Sequence, residues 1–389
     1  MERYVNDGSP SGYSFDYSSS AKYSPLSGTE KFSLPVLWSE NVRTYGIIPL
    51  DLVELFSDKG KKAIPFHPDN IDDFKAFRNQ IKTSLYEVSP SASPRTLFSE
   101  APNLFYLKLH YKGVLGRIER SMPIRKSMAE IEISKLLIDE VISSGKTSFG
   151  IFHSPFCNYY NDDKGTDFSF ILRLSDPFPR LNENPILIPC FSLFSTDIKE
   201  LSHPPLLLQI LQKTNANSDW FLSNLIFPVL RMYIHLCKIH GLIPEINAQN
   251  LVYEFDDKFN CLRPVIRDFM EIEKDLSIRG KLNLRNNFDS INYKTIVNSD
   301  EDYFIRHSFS FDFKLTHYVI VPLAKLFSRQ LGIDLNKLLS EIRDFVFAEW
   351  GQEIHTHFQP FDKWYDVPNR LLVNKSDRKY NINTNPILR

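Results

Sequence analysis

Glu245-Ile246-Asn247-Ala248-Gln249-Asn250, the run Leu251 to Phe255, the turn Asp256-Asp257-Lys258-Phe259-Asn260 and the run Leu262 to Phe269, which carries Arg267-Asp268-Phe269, are the stretch that decides the fold. The two short apolar runs on either side of an Asp/Asn turn predict a β-hairpin. Ahead of it an irregular loop presents a carboxylate, Glu245, and a carboxamide, Asn250, five residues apart. The second strand returns another carboxylate, Asp268. Oxygen donors gathered this way suit a Mg²⁺ ion that also holds nucleotide phosphates. The same residues also read as a plain turn followed by a strand-end cap, and from this block alone the two readings stand level.

Upstream, Leu206 to Leu211 and Trp220 to Leu236 are apolar around much of a helical circumference, so both helices should be buried, and Pro228 predicts a kink or break in the second. Downstream, residues 276–302 are polar and Asn-rich and are expected to form a long loop. Two amphipathic helices near 315–330 and 334–349 complete that half. Toward the N-terminus, Leu104 to Leu109 suits a strand. Ile131, Ile133, Leu136, Leu137, Val141 and Ile142 predict a helix over about 129–143, and strands are expected near 147–153, 168–174 and 186–194. Residues 1–30, rich in Ser, Tyr, Gly, Asn and Pro, are expected to be a mobile tail.

Length and composition narrow the class. At roughly 150 residues per domain, 389 residues suggest about two or three packed units. Lys and Arg total 46 against 47 Asp and Glu, a formal charge of −1, which provides no field for nucleic acid or an anionic membrane. Cys157, Cys190, Cys237 and Cys261 are widely spaced and form no CxxC pair, which argues against a zinc knuckle or a disulfide framework. The N-terminus lacks a signal-peptide core, and no apolar run is read as approaching the roughly 20 residues of a membrane span, so the cytoplasm is the expected compartment.

A second block carries candidate chemistry. Ser93-Pro94-Arg95-Thr96 precedes Lys108, Lys112, Arg117 and Arg120, a mixture of hydroxyl, guanidinium and ammonium groups that a triphosphate or a polycarboxylate requires. Taken alone it reads more readily as a solvated basic face. Protein kinases space a catalytic Asp and a metal-binding Asn five apart and follow them with a hairpin and a metal Asp, so a nucleotide–Mg²⁺ site fits the hairpin block. Three other features are set aside. Ser144-Gly145-Lys146-Thr147 imitates a P-loop but has Glu140 where the first Gly belongs. His355-Thr356-His357 lacks a third ligand and is expected to be a surface coincidence. Arg306-His307 has no motif to fix a role.

Taken in order, these motifs resemble the siderophore synthetases that work independently of nonribosomal peptide synthetases, the aerobactin-synthetase type. The resemblance rests on Ser93-Pro94-Arg95-Thr96, on Lys108-Leu109 with Arg120 twelve residues after the Lys, on Glu245 to Asn250 and on Arg267-Asp268-Phe269. Ile64-Pro65-Phe66-His67-Pro68 and the closing Asn385-Pro386-Ile387-Leu388 add to it. It implies an α+β, hand-like architecture: a tail over 1–30, a fingers-like α+β domain over 31–200, and a mostly helical, kinase-like palm with a β-hairpin over 201–389.

The resemblance further implies ATP and Mg²⁺ as cofactors. A small carboxylic acid of the citrate type would be activated as an acyl-adenylate and captured by an amine or alcohol. Ser93, Arg95, Thr96, Lys108 and Gln249 would bind the nucleotide, Glu245, Asn250 and Asp268 the metal, and Arg120 and Asn247 would serve at the reacting groups. The family's loop His is replaced here by Asn247, and its large N-terminal thumb has only the Ser/Tyr-rich tail as counterpart. Either a homodimer or a partner chain completes the site, or the substrate is different, or the chemistry has decayed. Two alternative functions stand beside the ligase: a non-catalytic or accessory homologue, and a kinase-like phosphotransferase.

Overall fold

The computed structural model describes residues 2–6, 23, 29–99, 104–111, 114–115, 118–142, 145, 148–214, 216–288, 293–367 and 380–389. The architecture is α+β. An antiparallel nine-stranded sheet runs in the order Arg43–Gly46, Phe156–Asn161, Asp167–Leu174, Phe105–Lys108, Thr96–Ser99, Ile81–Pro90, Phe32–Ser39, Lys61–Pro65 and Ser57–Asp58. Because side chains alternate across a strand, one face of this sheet gives Leu97, Phe105, Leu107, Phe170 and Leu172 to an apolar core with Phe56 and Leu37. The opposite face carries Thr96, Tyr106, Lys108 and Arg173, since Lys108 pairs with Thr96 and Ile171 and Tyr106 with Phe98 and Arg173. Helix Ile124–Leu136 covers part of this second face, burying Ile131 against Cys157, Ile171 and Met270.

The C-terminal half is built on a second core of helices. Its spine is the run Ser218–His240, which continues from a first turn through a π-helical segment, Leu222–Ile226, into Phe227–His240. Pro228 does not break it. The residue sits at the start of the last segment, and the π turn in front of it accommodates the missing N–H. Phe221 stacks on Phe327 and Phe227 on Phe345, with ring centroids 4.1 and 4.0 Å apart. At 23 residues this helix is, against expectation, long and apolar enough to span a membrane by length and composition, yet 61% of its most apolar window is buried within the protein. The helices Tyr303–Ser308, Phe309–Ile320 and Val321–Leu331 run on from one another, and Leu335–Trp350 packs beside them around Leu236, Phe311, Leu315 and Trp350.

A five-stranded sheet, Pro177–Phe178, Gly150–Phe152, Cys261–Ile266, Leu251–Phe255 and Ile186–Pro189, packs on the helical core through Ile151, Ile188, Leu251 and Tyr253. It contains the expected hairpin. The apolar run expected as one strand over 186–194 divides: Ile186–Pro189 is a strand and Cys190–Phe194 a short helix. A fully buried run has no polar alternation to mark where strand gives way to helix. The segment 276–302 is not simply a loop, because Leu276–Lys281 is helical and Thr295–Ile296 pairs in parallel with Glu273–Asp275. Glu2–Asn6, expected within the tail, instead docks: Val5 bridges Asp197, Ile198 N donates to Tyr4 O at 3.0 Å, and Ser192 Oγ donates to Val5 O at 2.9 Å.

Gly241 ends the long helix with φ +56, and a Cβ there would lie 2.6 Å from Arg279 Cγ and 3.0 Å from Asp275 O. The turn it makes launches the chain into the Glu245 loop. Gly241→Ala is expected to lower stability by about 1–3 kcal/mol through left-handed strain and crowding, measured as a fall in urea midpoint. An unchanged midpoint would show that the helix end can refold around a side chain.

The features set aside above also fall into place. His355 is exposed, but His357 is buried against Trp350 and His307, so the pair is not a surface feature. His307 lies buried on Asp275 at 3.3 Å, and Arg306 pairs with Glu273 at 3.1 Å. Of the P-loop imitation only Gly145 lies among the described residues, just past the helix end.

Candidate functional site

The polar face of the large sheet meets the hairpin at Asp268. Lys108 Nζ donates to Asp268 Oδ1 at 2.7 Å, and Arg173 makes a second ion pair with the same oxygen. Lys108 and Arg173 are brought to one spot by strand register, their positions lying diagonally opposite on neighbouring strands of the same face. Asp268 arrives from the end of Cys261–Ile266, in a left-handed conformation with φ +67 and ψ 67 that turns its carboxylate back toward the sheet. Such a conformation in a non-glycine residue persists only where surrounding contacts enforce it, and it recurs at functional sites.

The electrostatics explain why the cluster holds. Burial opposes the Asp268 charge, but Arg173 and Lys108 outweigh it and hold the carboxyl well below its ordinary value. Burial likewise opposes the Arg173 charge, and Asp268 with Glu130 raises it above the usual guanidinium value. Glu130 is fully buried on helix Ile124–Leu136. It accepts from Arg173 at 3.3 Å, from Ser154 Oγ at 2.9 Å and from Met270 N at 2.7 Å, tying the helix to the turn after Asp268.

Lys108 is driven down from its normal value by burial, incompletely offset by Asp268. Arg95 is pulled down to about 9 by burial and by the adjacent Arg120 charge, with Asp268 and Glu271 opposing. A guanidinium stays protonated in proteins, so the direction of this shift reflects a charge that is buried and set beside another cation. Arg95 Nη1 also donates to the Arg120 carbonyl at 2.8 Å, which places the two basic residues side by side.

Pro244, Glu245, Asn250, Arg267, Asp268 and Phe269 line a small cleft, and Asp268 in its wall carries the bridge to Lys108. Asn250 Nδ2 donates to Glu245 O at 3.2 Å, and Lys314 Nζ pairs with Glu245 at 3.0 Å. The Asn247 amide oxygen accepts from Gln249 N at 2.9 Å and Asn250 N at 3.1 Å. Through this oxygen the side chain shapes the loop, the behaviour of an Asx turn. Arg267 Nε donates to the Gln249 carbonyl at 3.0 Å, which pins the far end of the loop to the hairpin.

The geometry unites Lys108 and Asp268 directly, places Arg95 and Arg120 next to them, and puts Glu245, Asn250 and Asp268 on a common cavity. Ser93 and Thr96 bracket Arg95 in a turn where Thr96 N donates to Ser93 O at 3.2 Å. Gln249 contributes its backbone, and its side chain is half-buried. Among the described residues no group of three or more His, Cys, Asp or Glu gathers as a metal site. The oxygen set of Glu245, Asn250 and Asp268 nevertheless suits a hard cation in kind, with both carboxylates at present satisfied by Lys314, Lys108 and Arg173.

No family model matches the sequence, and no curated protein does. Solved structures do match. A petrobactin biosynthesis protein, AsbB from Bacillus anthracis str. Sterne, superposes with a TM-score of 0.79 at 14% identity, over 100% of this chain and 74% of that one. The chain has the siderophore-synthetase fold. ATP-bound aerobactin synthetase IucA from a hypervirulent pathotype of Klebsiella pneumoniae gives a TM-score of 0.70 at 14% identity, over 97% of this chain and 74% of that one. Aerobactin synthetase IucC from the same source gives 0.62 at 15% identity, over 86% and 65%.

Within the siderophore-synthetase fold, Glu130 and Arg173 are the site residues the sequence reading missed. Both left a trace. Arg173 is the one charged residue in the largely apolar Phe168 to Leu174, and Ser127, Glu130 and Ser134 form a polar row at helical spacing on a helix that is buried.

Proposed function

We propose that the chain is an ATP- and Mg²⁺-dependent ligase that activates a small carboxylic acid, of the citrate type, and joins it to an amine or alcohol in the cytoplasm. One observation carries this reading: Lys108 and Arg173 from the sheet meet on Asp268, Arg95 is held on Arg120 beside them, and Asp268 shares the lining of one cleft with Glu245 and Asn250. A cationic arc opposite an oxygen-rich loop is what a triphosphate with its metal requires. The siderophore-synthetase fold supports it, and one protein of that fold is an ATP-bound synthetase.

In this reading Arg95, Lys108 and Arg173 take the phosphates, and Ser93, Thr96 and Gln249 flank the nucleotide. Glu245, Asn250 and Asp268 would hold Mg²⁺, which when bound neutralises charge on the phosphates as a Lewis acid. Arg120 orients the substrate carboxylate beside Arg95. A carboxylate oxygen bonds to the α-phosphorus, the bond to the bridging oxygen breaks and pyrophosphate leaves with its electron pair. The amine or hydroxyl then attacks the acyl carbon, loses its proton and releases AMP. The cations serve by lying where charge accumulates on the leaving pyrophosphate. Asn247 positions the loop.

Isotope exchange between pyrophosphate and ATP tests the proposal. Exchange is expected only with a carboxylic acid present, and Lys108→Met should reduce it on the order of 10²-fold. A panel of di- and tricarboxylates yielding no exchange would count against activation. Release of ADP in place of AMP would favour a phosphotransferase. The closed Lys108–Asp268 bridge favours one other reading, an accessory homologue that binds nucleotide without turnover, and calorimetry with Mg-ATP beside the exchange assay separates it from the ligase.

A further inference from the structure

Arg267 adjoins Asp268, lines the cavity and is 6% exposed, yet the mechanism above leaves its outer guanidinium nitrogen unused. That nitrogen, Nη1, is ion-paired with the carboxylate of Glu2, 265 residues away in sequence. Nε is fixed by the Gln249 carbonyl at 3.0 Å, so the guanidinium presents Nη1 in a set direction rather than swinging with solvent. Tyr106, whose phenol is pushed up by burial and by Glu2, lies close by on the sheet face that also bears Lys108 and Arg173. An oriented, buried guanidinium beside a phenol makes a subsite for one carboxylate group.

The segment that delivers Glu2 lies near the surface, with residues 2–5 half-buried. Besides the Glu2 pair, its fastenings include the Val5–Asp197 bridge, the hydrogen bonds of Tyr4 O and Val5 O, the Arg3 bond to Thr29 O at 2.6 Å, and Lys199 over the Tyr4 ring at 3.9 Å. A half-buried segment opens at lower cost than the core.

We infer that Arg267 forms a carboxylate-binding subsite at the edge of the cavity, and that Glu2 fills it in the ligand-free protein as an internal competitor on a displaceable strap of residues 2–6. The ligand class is a free carboxylate of a di- or tricarboxylic acid, taken up as the strap leaves. This deepens the proposed function by naming how a second carboxylate of the acid is recognised, and it rests on that reading for the ligand's role.

The test uses citrate as the probe, on the full chain, without ATP, so that it is independent of turnover. Glu2→Gln keeps the side-chain shape and removes the competing charge. Its affinity for citrate by calorimetry is expected to rise at least about fivefold over the unaltered protein, and Arg267→Gln to lose that gain when combined with it. In the unaltered protein, saturating citrate should speed hydrogen exchange at the Ile198 amide, which the strap protects through Tyr4 O. Equal citrate affinity of the two proteins, absence of citrate binding in both, or a gain confined to pyrophosphate would overturn the assignment. A failed pyrophosphate-exchange assay beside a positive result here would sink the ligase reading and leave the subsite standing.

Discussion

Asp268→Asn is expected to remove acid-dependent pyrophosphate exchange by on the order of 10²–10³-fold, and at the same time to make the protein bind free pyrophosphate more tightly. The two effects share a cause. In the ligand-free protein this carboxylate is the counter-ion of Lys108 and Arg173, both almost wholly buried. Asparagine fits the same volume and tolerates the φ of +67, so the backbone has no reason to move. Removing the charge leaves two buried cations with Glu130 as the remaining close partner, and breaking a buried pair in this way costs about 3–5 kcal/mol. The Asp268 side chain is 19% exposed, so the lower end of that range applies. A polyanion entering the cleft would restore the missing charge. Pyrophosphate at about 100 times its dissociation constant should return about 2.7 kcal/mol by mass action.

Urea unfolding with and without pyrophosphate measures both effects together. If the variant is as stable as the unaltered protein and gains nothing from pyrophosphate, the Lys108–Asp268–Arg173 cluster is not a preformed phosphate site. The pH dependence supplies a further check. The folded value of Asp268 lies well below the unfolded carboxylate value of about 3.9, so its stabilisation is present above that pH and is lost as pH falls through the folded value. Asp268→Asn should lack this part of the acid limb.

Much of this arrangement can be read from the chain, and its gaps have physical reasons. The hairpin Leu251–Phe255 and Cys261–Ile266 announced itself through a polar turn between apolar runs, and the long helix through apolar residues around much of its circumference. Lys108, Arg95 and Asp268 were picked by residue type and spacing and do lie together. What spacing could not supply was the partner that register provides. Arg173 reaches Asp268 because Asp167–Leu174 pairs with Phe105–Lys108 in one register, and a shift of one residue would turn it to the opposite face. Asn247 shows the converse: its residue type fits a reacting group, and the two backbone N–H groups three residues or fewer away that bond its oxygen become visible only in the structure. Glu2 was invisible because a Ser/Tyr-rich stretch carries no periodicity from which docking could be inferred.

Glu130→Ala is the substitution expected to cost most in stability, about 3–5 kcal/mol. The carboxylate is wholly buried, so its removal leaves Arg173 short of an anion and strands Ser154 Oγ and Met270 N without their acceptor. Because Met270 lies two residues after Asp268, the loss also loosens the turn that aims Asp268 at the sheet. Exchange activity should therefore fall even though Glu130 acts on the site only through Arg173 and the Asp268 turn. Glu130→Gln retains an oxygen for Met270 N and should cost clearly less. The deciding comparison is the pair Glu130→Met and Arg173→Met, singly and together. If the ion pair were kept for stability, the double variant would be at least as damaged as the worse single one. Replacing both partners of a buried pair by apolar groups is often neutral or stabilising, so the double variant should recover much of the urea midpoint. Activity should not recover, since Asp268 then has Lys108 alone to hold it. Recovery of both would mean that the pair contributes packing only, and that Lys108 suffices to set the site.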